Sequence, residues 1–161
     1  MPALSTLGSA SVKAYGGTSA VDSGFDFTFT AGGGAGRNGP SLATFLASYD
    51  TTTYPWLNNT SNYNVSNGIQ YWTVPETGNY LINALGAGSL VGTGKVTNNS
   101  QGGARIQDTF ALTQGEVIRI LVGQQPNSSH PQANGGAGGT FVVRTPYNTN
   151  ASIFCLLYTS P

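Results

Sequence analysis

The segment Gly34-Ala35-Gly36-Arg37-Asn38-Gly39 has the spacing G-x-G-x-x-G, in which glycines let the backbone approach a pyrophosphate at the start of a helix. A run of alternating residues, Phe25 to Thr30, precedes it, and a stretch with helical spacing, Ser41 to Tyr49, follows. The surroundings argue against a dinucleotide site. The first strand of a doubly wound sheet is buried on both faces and reads as a continuous apolar run, whereas Asp26 and Thr28 interrupt this one. Asp50 to Asn59 is rich in Thr and Asn and supplies no second parallel strand, and no crossover helices come after it. A nucleotide-binding enzyme built on Gly34, Gly36 and Gly39 is therefore a minor alternative. Gly94-Lys95 fails as a phosphate loop, because Ser89 stands where the first glycine belongs and Val96 where a hydroxyl residue belongs.

The remaining reactive groups are sparse. His130, the single histidine, lies in the polar stretch Gln124 to Gln132 without a cysteine or acidic neighbour, and reads as a loop residue rather than a metal ligand. Asp22, Asp26, Asp50, Glu76, Asp108 and Glu116 are scattered in or beside turns, with no pair spaced for acid/base work. Cys155 is the only cysteine and cannot close an internal disulfide. We expect no catalytic residue, no cofactor and no metal, hence no enzyme. Recognition is the chemistry left, and its candidates are Tyr54, Trp56 and Tyr63, aromatic side chains in a loop-like segment that could stack on a sugar or anchor a partner chain. Tyr71 and Trp72 sit in a strand-like run and are expected in the core.

Charge narrows the partner. Six basic and six acidic residues make 7% of 161 residues, against roughly 25% in an average soluble protein. A net charge of zero supplies neither a basic stripe for nucleic acid nor a polybasic patch for an anionic bilayer. A protein or glycan ligand remains, with homo-oligomerisation left open. The N-terminus lacks the basic and apolar regions of a secretory signal, and no run of 18 apolar residues occurs.

Seven Phe, eight Tyr and two Trp can bury a core at a length typical of one domain. Period-two alternation predicts strands at Phe25 to Thr30, Ile69 to Val74, Asn79 to Leu85, Ala104 to Leu112 and Val117 to Val122, at Phe141 to Arg144, and from Ser152 to Leu157. Pro75-Glu76-Thr77-Gly78 and Thr113-Gln114-Gly115-Glu116 read as turns. Only Ser41 to Tyr49 has helical spacing, with Leu42, Phe45, Leu46 and Tyr49 on one face. The expected fold is all-β, an antiparallel β-sandwich, with Phe25, Phe27, Phe29, Tyr80, Ile82, Ile118, Ile120 and Val122 sharing its core.

Several segments together resemble the glycine-rich, tumour-necrosis-factor-like ectodomain region of the anaplastic lymphoma kinase and leukocyte tyrosine kinase receptors and its microbial or viral relatives. They are Phe27 to Thr30 with Gly34 to Pro40, Gly68 to Tyr80 with Gly86 to Gly88, Phe110 to Glu116, Ile120 to Gln125, and Gly135 to Val142. The resemblance implies a jelly-roll sandwich whose glycine-rich loops or polyproline-II-like segments form an attached layer, and a module that contributes to cytokine binding in the receptors. The receptor modules carry cysteines and are followed by membrane and kinase segments, so kinase function does not transfer. The resemblance implies an extracellular or virion-surface location. The start, Leu7 to Gly16, is similar to starts of viral fibre proteins, and a virion fibre or adhesin subunit is the alternative. Residues 1–24 are expected as an N-terminal extension, 25–153 as the domain, and 154–161 as a non-native tail, because Phe154 to Pro161 replaces the glycine run that the family leads one to expect.

Overall fold

The computed structural model describes residues 9–15, 25–34, 38–88, 103–125, 137–147 and 153–156. Among them nine strands form two sheets, and every pairing is antiparallel. The four-stranded sheet has the order β2 (Asp26–Thr30), β1 (Ser9–Tyr15), β5 (Gly78–Leu85), β6 (Arg105–Leu112). The five-stranded sheet has the order β3 (Tyr63–Ser66), β4 (Ile69–Thr73), β7 (Val117–Leu121), β8 (Phe141–Arg144), β9 (Ile153–Leu156). The strand before the glycine motif thus pairs antiparallel with β1 rather than opening a parallel crossover unit.

Alternation decides which side chains meet between the sheets. Phe27 and Phe29 of β2, Tyr80, Ile82 and Ala84 of β5, Trp72 of β4, Ile118 and Ile120 of β7 and Val142 of β8 are buried in one cluster. Phe25, just before β2, packs against that cluster while remaining partly exposed. Tyr71 departs from expectation. Its neighbour Trp72 faces inward, so Tyr71 is aimed at the outer face, where it lies opposite Arg119. The Arg119 guanidinium there sits 3.5 Å from the Tyr147 ring centre and 5.2 Å from that of Tyr71.

The helix α1 (Leu42–Ser48) is only seven residues long and needs tertiary support. Ser41 caps it by accepting from the Thr44 N–H at 3.3 Å, and Phe45 is buried beneath it. The predicted apolar face is real, since Leu42, Leu46 and Tyr49 pack against the core.

Two strands lie outside the sequence expectation. β1 falls in the segment read as an extension, yet it sits between β2 and β5 with Ala10 and Val12 fully buried. β3 joins β4 through Asn67-Gly68, with φ of 51° and 76°, a two-residue hairpin turn that needs positive φ at both positions. Glycine at 68 has a second reason: a Cβ there would stand 2.7 Å from the Gly39 Cα. The last strand, β9, pairs with β8 from Ile153 to Leu156 and so runs past the expected boundary at 153. His130, Gly36, Lys95, residues 89–102 and 126–136, and residues 157–161 lie outside the described residues.

Glycine also permits close packing at one end of the sandwich. A Cβ on Gly123 would collide with the Gly138 carbonyl, and the Ala87 N–H donates to that same carbonyl at 3.0 Å. The buried Thr140 hydroxyl joins β5 to the segment that follows β7 there, donating to the Leu85 carbonyl at 2.6 Å and accepting from the Gly123 N–H at 3.1 Å.

Candidate functional site

The predicted recognition aromatics lie in the connection from α1 to β3, and its backbone is tightly held. Asp50 accepts from the N–H groups of Thr52 and Thr53 at 3.0 and 3.1 Å and from the Thr53 hydroxyl at 2.6 Å. The Thr53 hydroxyl, then the N–H groups of Thr53 and Thr52, hold the exposed Asp50 carboxyl below the usual carboxylate range. Pro55 then opens a single 3-10 turn, Pro55–Asn58, anchored by the buried Leu57. Proline is pre-set for the first position of such a turn.

This scaffold places Tyr54 and Trp56 half-buried, each with its ring edge-on to Phe27 at a centroid distance of 4.9 Å. Trp56 also contacts Phe25 at 5.6 Å, and Phe25 stacks on the buried Trp72 at 4.9 Å. In front of Tyr54, Trp56 and Phe25 lies a cleft of about 330 Å³. Its remaining walls come from Asp26 of β2, Thr53, and Pro75 with Glu76 from the β4–β5 turn. That turn is pinned at its two central residues: the Tyr80 hydroxyl donates to the Glu76 carbonyl at 2.7 Å, and the Gln114 N–H donates to the Thr77 hydroxyl at 2.9 Å.

Tyr63 does not join the other two at the cleft. It is 1% exposed, because β3 directs it inward opposite Trp72. Its hydroxyl donates to Gln70 Oε1 at 2.8 Å, and the Tyr49 hydroxyl donates to the same oxygen at 2.7 Å. Gln70 Nε2 donates across the sandwich to the Thr30 carbonyl at 3.0 Å, while the Thr30 N–H donates to the Tyr49 hydroxyl at 2.8 Å. The fully buried Gln70 thus bridges β4 to β2. As a surface candidate Tyr63 is corrected: its ring belongs to the core and its hydroxyl to this network.

Burial raises the Tyr49 and Tyr63 hydroxyls above the ordinary tyrosine range, with the neighbouring Tyr49 adding to the effect at Tyr63. Both are held neutral in the folded chain, so the unfolded chain ionises first, from about pH 10 upward. Their contribution to stability is complete below that pH and is lost as pH rises, by up to about 1.4 kcal/mol per pH unit for each tyrosine charged only when unfolded. Urea unfolding at pH 8, 10 and 11 should show stability falling above pH 10, less steeply in Tyr63→Phe. Equal slopes for the two proteins would contradict the buried network.

The sequence reading missed Gln70, although Gln70 and Trp72 share one face of a period-two run. It also missed that Asp26 and Glu76, 50 residues apart in the chain, meet around one cleft. No local spacing signals that. Among the described residues, no group of three or more His, Cys, Asp and Glu could hold a metal ion. No helix among them is long and apolar enough to cross a membrane.

The molecule is thus an all-β sandwich whose surface carries an aromatic cleft with two acidic residues in its wall. The chain is 33% identical over 105 residues to the leukocyte tyrosine kinase receptor of Mus musculus, a match that covers 65% of this chain and 12% of that receptor. This similarity supports a relation to the leukocyte and anaplastic lymphoma tyrosine kinase receptor family. No family model matches the chain.

Proposed function

We propose that the chain is a non-catalytic recognition module of an extracellular or surface-exposed protein, which binds a protein or glycan partner through the Phe25–Tyr54–Trp56 cleft. The observation that carries this reading is the pair of rings at Tyr54 and Trp56. A braced turn holds them half-exposed and the core backs them, so they can bury further against a partner with little ordering cost. The receptor similarity supports the extracellular setting, while its span of 12% of the receptor leaves kinase activity outside the proposal. The non-catalytic reading is supported by the shifted tyrosines, Tyr49, Tyr63 and Tyr80, whose hydroxyls are all committed to structural hydrogen bonds.

The test is a screen of the labelled chain on an immobilised glycan array and a displayed peptide library, each hit being retested with Glu76→Trp, which fills the cleft from an exposed wall position and keeps the backbone carbonyl that Tyr80 holds. Hits should weaken roughly tenfold or more, as expected when a contact hot spot is blocked. Hits indifferent to Glu76→Trp, or no hit on either surface, would overturn the proposal.

A further inference from the structure

We infer that the cleft takes a cationic side chain, a lysine or arginine presented by a protein partner; this deepens, and rests on, the reading of the cleft as the contact site. The lining combines three aromatic residues, Phe25, Tyr54 and Trp56, with two acidic ones, Asp26 and Glu76, and the described lining includes no basic residue. Aromatic faces are electronegative and attract a cation set over them, and carboxylates add direct charge attraction. The chain has only six acidic residues, and two of them border this one cleft. Asp26 already has a partner within the chain, so the exposed Glu76 carries the larger share of the charge offered to a ligand.

The size suits this occupant. About 330 Å³ lies at the low end of the roughly 300–1,000 Å³ of small-ligand sites, room for one long side chain rather than a helix or a folded loop. The molecule already uses the same chemistry elsewhere, where the Arg119 guanidinium lies against the Tyr71 and Tyr147 rings. A neutral sugar would use the ring faces and accept the carboxylates as hydrogen-bond partners, but it would draw nothing from their charge.

The probes are the capped tripeptide Gly-Arg-Gly, its citrulline counterpart, which is nearly the same shape without the charge, and the neutral sugar cellotriose. Each is titrated into the full chain while the Trp56 indole N–H signal is followed by NMR. The arginine peptide should shift that signal saturably. Glu76→Gln should weaken its binding roughly two- to fivefold, in keeping with one exposed charge contact, and added salt should weaken it further. The citrulline peptide and cellotriose should leave the signal in place. An equal response to the citrulline peptide, or a response to cellotriose alone, would overturn the cationic occupant while keeping the cleft as a contact site. Silence toward all three probes would overturn the cationic occupant as well, and the array and library screen would then decide separately whether the cleft recognises anything.

Discussion

Replacing Phe27 with alanine should lower the stability of the fold by about 3–5 kcal/mol, the range for removing a large aromatic ring from a packed core. Phe27 is 3% exposed and meets four rings edge-on: Phe29 at 4.8 Å, Tyr49 at 5.1 Å, and Tyr54 and Trp56 at 4.9 Å each. Its removal takes away the transfer energy of the ring and leaves a cavity that four stiff neighbours cannot fill without moving. A domain of this size is stable by only about 5–15 kcal/mol in total, so the variant should sit close to global unfolding. The same change undermines the cleft, because Phe27 is the surface against which Tyr54 and Trp56 rest. Urea unfolding measures the loss, and an unchanged midpoint would contradict the packing.

Gln70→Leu should cost about 2–4 kcal/mol: a buried polar group left without a partner costs about 1–3 kcal/mol, and of the groups it strips the Tyr49 hydroxyl keeps its bond from the Thr30 N–H. Two tyrosine hydroxyls lose their shared acceptor and the Thr30 carbonyl loses a donor. Adding Tyr63→Phe to Gln70→Leu should cost little further, because the hydroxyl it removes is already orphaned. A double-mutant cycle reads this directly. Additive costs would show that Tyr63 and Gln70 act independently and would contradict the network.

The strands that sequence reveals are those whose inward positions carry large side chains. Phe27 and Phe29 mark β2, Tyr80 and Ile82 mark β5, and Ile118 and Ile120 mark β7. β1 was hidden because its described inward positions are Ala10 and Val12, small residues with weak contrast against their neighbours. β3 was hidden by the surrounding asparagines, although Asn67-Gly68 was a readable hairpin signal and would have paired Tyr63 with Trp72. That pairing would also have moved Tyr63 from the surface to the core. The cleft was legible in part: Tyr54 and Trp56 were readable as aromatics in a loop, but the meeting of residues 25, 54 and 75 is a product of tertiary folding.

The fluorine NMR spectrum of the chain labelled with 5-fluorotryptophan reads whether the cleft opens one tryptophan to a partner while the core behind it stays sealed. The sequence has two tryptophans, half-buried Trp56 at the cleft and Trp72, 1% exposed, behind Phe25. A neutral paramagnetic agent should broaden the Trp56 resonance, assigned by its absence in Trp56→Phe, and spare that of Trp72. Equal broadening of both resonances, or of neither, would show that the cleft does not set Trp56 apart from the core.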